Sequence, residues 1–231
     1  MKKDFYFYSL LFQFIYSIGF SQNSFEINNL SKQYRVNVSV EKIESNRCFG
    51  KGSISIYLKE KNTHFQTLNS SDLIFYTEEK NHNKIKNPTL KDTRQEELPA
   101  IFDDYNFDGY EDVAVRNGNN GNYGGPSYDI YVFNITKKRF VLSKELTKLA
   151  TENLGLIELD KDRKRIITYL KSGCCWHSKS EYEVVFGKGL QLVSEIIEHI
   201  PVDDIDHRIV TEKKLIDGKW VVKKKKYRNK I

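Results

Sequence analysis

Short runs in which apolar and polar side chains alternate recur along this chain, each closed by a turn signal. That period of two confines the chain to a β-fold, because only an extended strand puts every second residue on one face. The clearest runs are residues 34–40, 54–58, 65–68, 73–76, 128–133, 139–142, 165–170, 182–186 and 190–193. Gly187-Lys188-Gly189 sits between two of them as a hairpin signature, and Asp217-Gly218 joins residues 214–216 to 219–222 with the strongest two-residue hairpin signal. Helical periodicity is confined to one place, where Ser143 can cap a short helix carrying Glu145 in its first turn and Leu146 and Leu149 on one side. The pattern predicts an all-β, antiparallel sandwich, barrel or propeller-like domain with at most one short helix.

The 231 residues suffice for one core. Met1-Lys2-Lys3, an apolar and aromatic run over residues 6–20 and the small residues of Gly19-Phe20-Ser21 read as a signal peptide over 1–21, cleaved before Gln22. The run is too short to span a bilayer, and no cysteine stands at the cleavage point to take a lipid. The expectation is therefore a periplasmic or secreted protein with one β-rich domain over 22–231 and no stable membrane anchor. Within it, residues 22–30 read as a loose polar leader and residues 78–97 as a long exposed loop.

Of the formal net charge of +6, residues 1–21 carry +1, leaving +5. Lys223, Lys224, Lys225, Lys226, Arg228 and Lys230 hold much of it; attraction to acidic partners is one reading, and a lysine-rich strand end that discourages edge pairing is the favoured one. No nucleic-acid motif is present. Cys48, Cys174 and Cys175 predict one disulfide in an oxidising compartment, either from Cys48 to one of the other two or between the adjacent pair.

One stretch stands apart from the strands. In Asp103-Asp104-Tyr105-Asn106-Phe107-Asp108-Gly109-Tyr110-Glu111-Asp112, oxygen-bearing side chains recur at Asp104, Asn106, Asp108 and Asp112. Calcium takes about six to eight oxygens, and a tight loop can turn alternate side chains inward to supply them. Gly109 permits the sharp turn, and Tyr110 would offer its backbone carbonyl. An EF-hand would need a glutamate in the twelfth place and flanking helices; here Val115 stands there and residues 113–115 read as a strand. The competing reading is a solvated acidic turn; four spaced ligands and the glycine favour Ca²⁺.

Two further loops could meet a partner. Ser172-Gly173-Cys174-Cys175-Trp176-His177 is a braced loop displaying Trp176 and His177; zinc is disfavoured because adjacent cysteines do not readily face one tetrahedral ion and a fourth ligand is missing. Residues 117–126, rich in asparagine and glycine, could present Tyr123, stiffened by the neighbouring calcium loop. A structural hairpin tip and a plain connector are the alternatives. No motif assembles a nucleophile, a base and an oxyanion donor, so a binding protein is expected, not an enzyme.

The acidic stretch, the Asn/Gly loop to Gly124-Gly125, the strand over 128–133 and Arg139-Phe140-Val141 together resemble the central signature of a bacterial exported family. Its members are similar to periplasmic lysozyme inhibitors and to immunity proteins against lysozyme-like effectors of bacterial-killing type IV secretion systems. The resemblance spans residues 98–193. It implies a calcium-binding β-domain that blocks a cell-wall glycosidase by inserting a loop, with a lysozyme-like hydrolase or effector as protein partner. Ser172-Gly173 is similar to the start of the inhibitory loop in some of these inhibitors. The alternative, from another class, is a calcium-dependent adhesion or surface-recognition module.

Overall fold

The computed structural model describes residues 23–77 and 98–229. The signal peptide and cleavage point expected over 1–22 and the loop expected over 78–97 lie outside the described residues. Among the described residues three antiparallel sheets and one α-helix make up the fold, and none of the sheets closes into a barrel. The first sheet runs β1 (Asn23–Ile27), β2 (Tyr34–Glu44), β3 (Arg47–Leu58) and β4 (Thr63–Ser70), with β5 (Phe75–Tyr76) pairing β3. The second runs β6 (Ala100–Asp103), β7 (Asp112–Arg116), β8 (Tyr128–Asn134) and β9 (Arg139–Leu142). After helix α1 (Lys144–Glu152) the third runs β10 (Glu158–Asp160), β11 (Arg165–Ser172), β12 (Trp176–Val185), β13 (Gly189–His199), β14 (His207–Ile216) and β15 (Lys219–Arg228).

Alternation does what the sequence pattern requires. Tyr34, Val36, Val38 and Val40 of β2 are buried and the residues between them are partly exposed. With Ile54, Ile56 and Leu68 they meet Ala100, Val113, Val115 and Phe140 of the second sheet in one apolar core. Phe140 sits among the rings of Tyr34, Phe65, Phe102 and Phe133, with centroids 5.5–6.4 Å away, in the edge-on geometry aromatic pairs prefer. Gln66 ties the two layers by bonding both backbone groups of Phe140, and Ser70 donates to the carbonyl of Arg116.

The opposite face of the second sheet builds a second core. Tyr105, Ala114, Tyr128 and Ile130 pack there with Leu146 and Ala150 of α1 and with Ile157 and Ile166. The second sheet is thus the middle layer, which is why all five residues of β7 are buried. The helix begins where Ser143 accepts a hydrogen bond from the N–H of Leu146, as the capping pattern predicts.

One expectation fails. Residues 22–30 are not a loose leader: residues 23–27 form β1, paired with β2, and Phe25, Ile27 and Leu30 are buried in the first core. The polar Ser24 and Glu26 occupy the outward face of that strand, and Asn23, polar too, begins the inward one, which hides its period of two in a short window. Glycine at 52 serves close packing, since a Cβ there would lie 2.6 Å from the carbonyl oxygen of Ser39 and 2.8 Å from Leu73. Both expected hairpins form, β12–β13 around residues 187–189 and β14–β15 around Asp217-Gly218.

Candidate functional site

The acidic stretch is the turn from β6 to β7, and its own backbone organises its side chains. Asp104 accepts from the N–H groups of Asp108 and Gly109 at 3.0 and 2.8 Å. Asn106 Oδ1 accepts from Asp108 N–H, Asp108 Oδ1 accepts from Tyr110 N–H at 2.9 Å, and the Asn106 amide donates to Asp108 Oδ2. Phe107 (φ +58°) and Gly109 (φ +92°) take left-handed backbone so that the chain can curl around these oxygens. Side chains from both neighbouring layers hold the loop. Ser31 donates to Glu111 at 2.7 Å from the first layer, and Lys161 pairs with Asp103 at 2.8 Å from the third.

Asp112 lies at the inner end of the loop and is fully buried. Its two oxygens accept from the N–H groups of Tyr105 and Phe133, at 2.9 and 2.8 Å. Burial first, and then the charges of Asp108 and Asp104, raise its carboxyl pKa to about 7 against the two backbone donors, which lower it. Among the described residues no three His, Cys, Asp or Glu side chains are gathered as a ready-made metal centre. The donor set read from the sequence is of another kind, since it includes the amide oxygen of Asn106 and a backbone carbonyl. It fits a hard cation: a carboxylate oxygen that accepts one N–H keeps a second lone pair, and mutually repelling carboxylates gain from a shared positive charge.

The second candidate region lies at the other end of β7. Residues 117–126 leave β7 after Arg116, whereas the acidic loop enters it at Asp112, so the strand separates them by about 13 Å at ~3.3 Å per residue. The Asn/Gly loop is therefore not stiffened by direct contact with the acidic loop. It is held by its own bonds, Gly121 N–H to Gly125 and Ser127 N–H to Gly118, and by Asn122 N–H to the carbonyl of Asn153.

That loop meets residues 172–177. The hydroxyl of Tyr123, at left-handed φ (+57°), accepts a hydrogen bond from the backbone N–H of Gly173. The ammonium of Lys171 lies 4.8 Å from the centre of the Tyr123 ring. Together Asn122, Tyr123, Leu170, Lys171, Ser172 and Trp176 line an open cleft of about 690 Å³. Cys174 and Cys175 are disulfide-bonded to each other at the turn between β11 and β12, and Cys48 is a buried free thiol opposite Phe75. Burial pushes the Cys48 thiol up to about 11.

Trp176 and His177, expected side by side, are successive residues of β12 and point to opposite faces. Trp176 shares the cleft with Tyr123; His177 does not. Lys171 and Leu170 were not singled out by the sequence, because the neighbour that gives them meaning lies some fifty positions earlier.

No protein-family model matches the chain, and no curated protein matches it. Among solved structures, one described as that of a Xanthomonas type IV secretion system related protein has the same fold, with a TM-score of 0.60 over 89% of this chain and 99% of that one, at 23% identity.

Proposed function

We propose that this chain is an exported, calcium-stabilised binding protein that blocks a lysozyme-like peptidoglycan hydrolase, in a setting related to type IV secretion. The observation that carries the reading is the bond between Tyr123 and Gly173. It fuses two loops into one ridge whose Tyr123 and Trp176 flank an open cleft. Rigid aromatics of this kind anchor protein interfaces at small cost in conformational freedom. The Ser172-Gly173 start of the ridge, similar to the inhibitory loop of some lysozyme inhibitors, supports the choice of partner. The solved structure that shares this fold, of a type IV secretion system related protein, supports the secretion setting. The chain does no chemistry of its own on this reading; it occupies the target's cleft.

Side-chain oxygens of Asp104, Asn106, Asp108 and Asp112 and the carbonyl of Tyr110 would hold the ion. Bound calcium supplies positive charge among carboxylates that otherwise repel. Asp112 passes the restraint inward, since its oxygens hold the N–H groups of Tyr105 in the loop and Phe133 on β8. Export rests on the basic start and apolar run of residues 1–21; among the described residues no helix is long and apolar enough to cross a membrane.

The test is peptidoglycan hydrolysis by a panel of lysozyme-like enzymes with and without the purified protein. Inhibition of at least one enzyme, lost in Trp176→Ala, is the expected outcome. No inhibition and no binding across the panel would overturn the reading.

A further inference from the structure

The outermost strand of the third sheet, β15, is exposed at all of its ten residues. Its inner edge pairs with β14 without a register shift from Arg228 to Lys219, and no strand lies along its outer edge among the described residues. Free edges are normally short, bulged or covered, because alternate N–H and C=O groups along them are left to pair with any strand that arrives. A straight ten-residue edge is long by that standard.

Its side chains narrow what can arrive. Lys219, Lys223, Lys224, Lys225, Lys226 and Arg228 are cationic and none of the ten residues is acidic. Trp220, Val221, Val222 and Tyr227 are 40–56% exposed. Alternation sends Lys223 and Lys225 to one face of the sheet and Lys224 and Lys226 to the other. Lys226 is engaged by Asp204 at 2.6 Å, and Lys223 stands across from Glu212 on β14.

We propose that β15 receives an extended, acidic segment of a partner protein as an added strand. A second copy of the chain is a poor occupant, because it would bring a second cationic strand with no acidic residue against the first. An anionic membrane or polymer meets one face of a sheet, whereas these cations stand on both. A strand laid along the edge reaches both faces and also pairs the backbone groups. The proposal does not depend on the hydrolase reading.

The test uses the purified full chain and a synthetic ten-residue peptide of Glu-Glu and Val-Val pairs in turn, which puts carboxylates on both faces of the added strand. A control peptide of equal charge is N-methylated at the amides that would face β15. Binding is followed by Trp220 fluorescence and by amide hydrogen exchange. The expected result is salt-sensitive binding that protects outward amides of β15. It should weaken at least tenfold with the methylated peptide and in the doubly reversed Lys224→Glu, Lys225→Glu variant, which changes one exposed residue on each face. Equal binding of the methylated peptide, equal binding to phosphatidylglycerol vesicles, a dimer protecting the same amides, or no binding would each overturn the proposal.

Discussion

The backbone N–H of Gly173 donates to the hydroxyl of Tyr123, which lies fifty residues earlier in the chain. Both residues sit at left-handed φ, +65° and +57°, the second unusual for a tyrosine, and holding such a residue there costs about 1–3 kcal/mol. Tyr123→Phe removes the acceptor but keeps the ring beside Lys171. Because Tyr123 is 59% exposed, global stability should fall by no more than about 1 kcal/mol. The Gly173 amide should nevertheless exchange with solvent at least several-fold faster. Unchanged exchange would mean that the two loops are not coupled in solution.

The acidic loop gives a prediction independent of any partner. Asp108 both accepts from Tyr110 N–H and lies where a cation would be shared with Asp104 and Asn106. Calcium should raise the thermal midpoint of the wild type, by the equivalent of about 2.7 kcal/mol at a hundred times the dissociation constant. Asp108→Ala should lose that response while still folding, since the residue is exposed. Calorimetry with calcium and with chelator checks this; a calcium shift of the same size in the variant rules out the ligand assignment.

Much of this fold was legible because burial in β2 and the turn at Asp217-Gly218 follow local rules that a short window contains. The layering was not. Val113, Ala114 and Val115 announce a strand, but only the packing of the first and third sheets on its two faces explains why all of it is apolar or buried. The acidic loop was legible because its donors recur within nine residues. The ridge was half legible: both loops carry local signals, while the bond that joins them spans fifty residues and leaves no trace in either. In the sequence alternation is plain only from Tyr182, which leaves Trp176 and His177 in a loop, whereas β12 begins at Trp176 and turns them to opposite faces.

The cysteines separate by accessibility. Cys48 is fully buried and its thiol is held protonated by burial, so an alkylating reagent should leave it untouched in the native protein. Reduction without denaturant should release two reactive thiols, Cys174 and Cys175, and a third should appear only on unfolding. Mass spectrometry counts the labels. A Cys48-linked disulfide peptide from the native protein would contradict the pairing of the adjacent cysteines.

Asp112 makes the stability of the cation-free protein depend on pH in a direction opposite to that of an ordinary salt-bridged carboxylate. Its folded pKa of about 7 lies above the usual value near 3.8, so between those limits the folded state binds the extra proton. Stability from this group is complete below about pH 4 and is lost as pH rises through about 7, on the order of 4 kcal/mol at most. In chelator, urea midpoints should therefore fall from pH 5 to pH 8. Calcium should flatten the fall, because a cation favours the ionised form. Asp112→Asn cannot titrate and should lack this part of the slope even if the substitution lowers stability throughout. A chelated wild type that gains stability over this range, or a variant with the wild-type slope, would show that the buried carboxylate is not what the pH change reads.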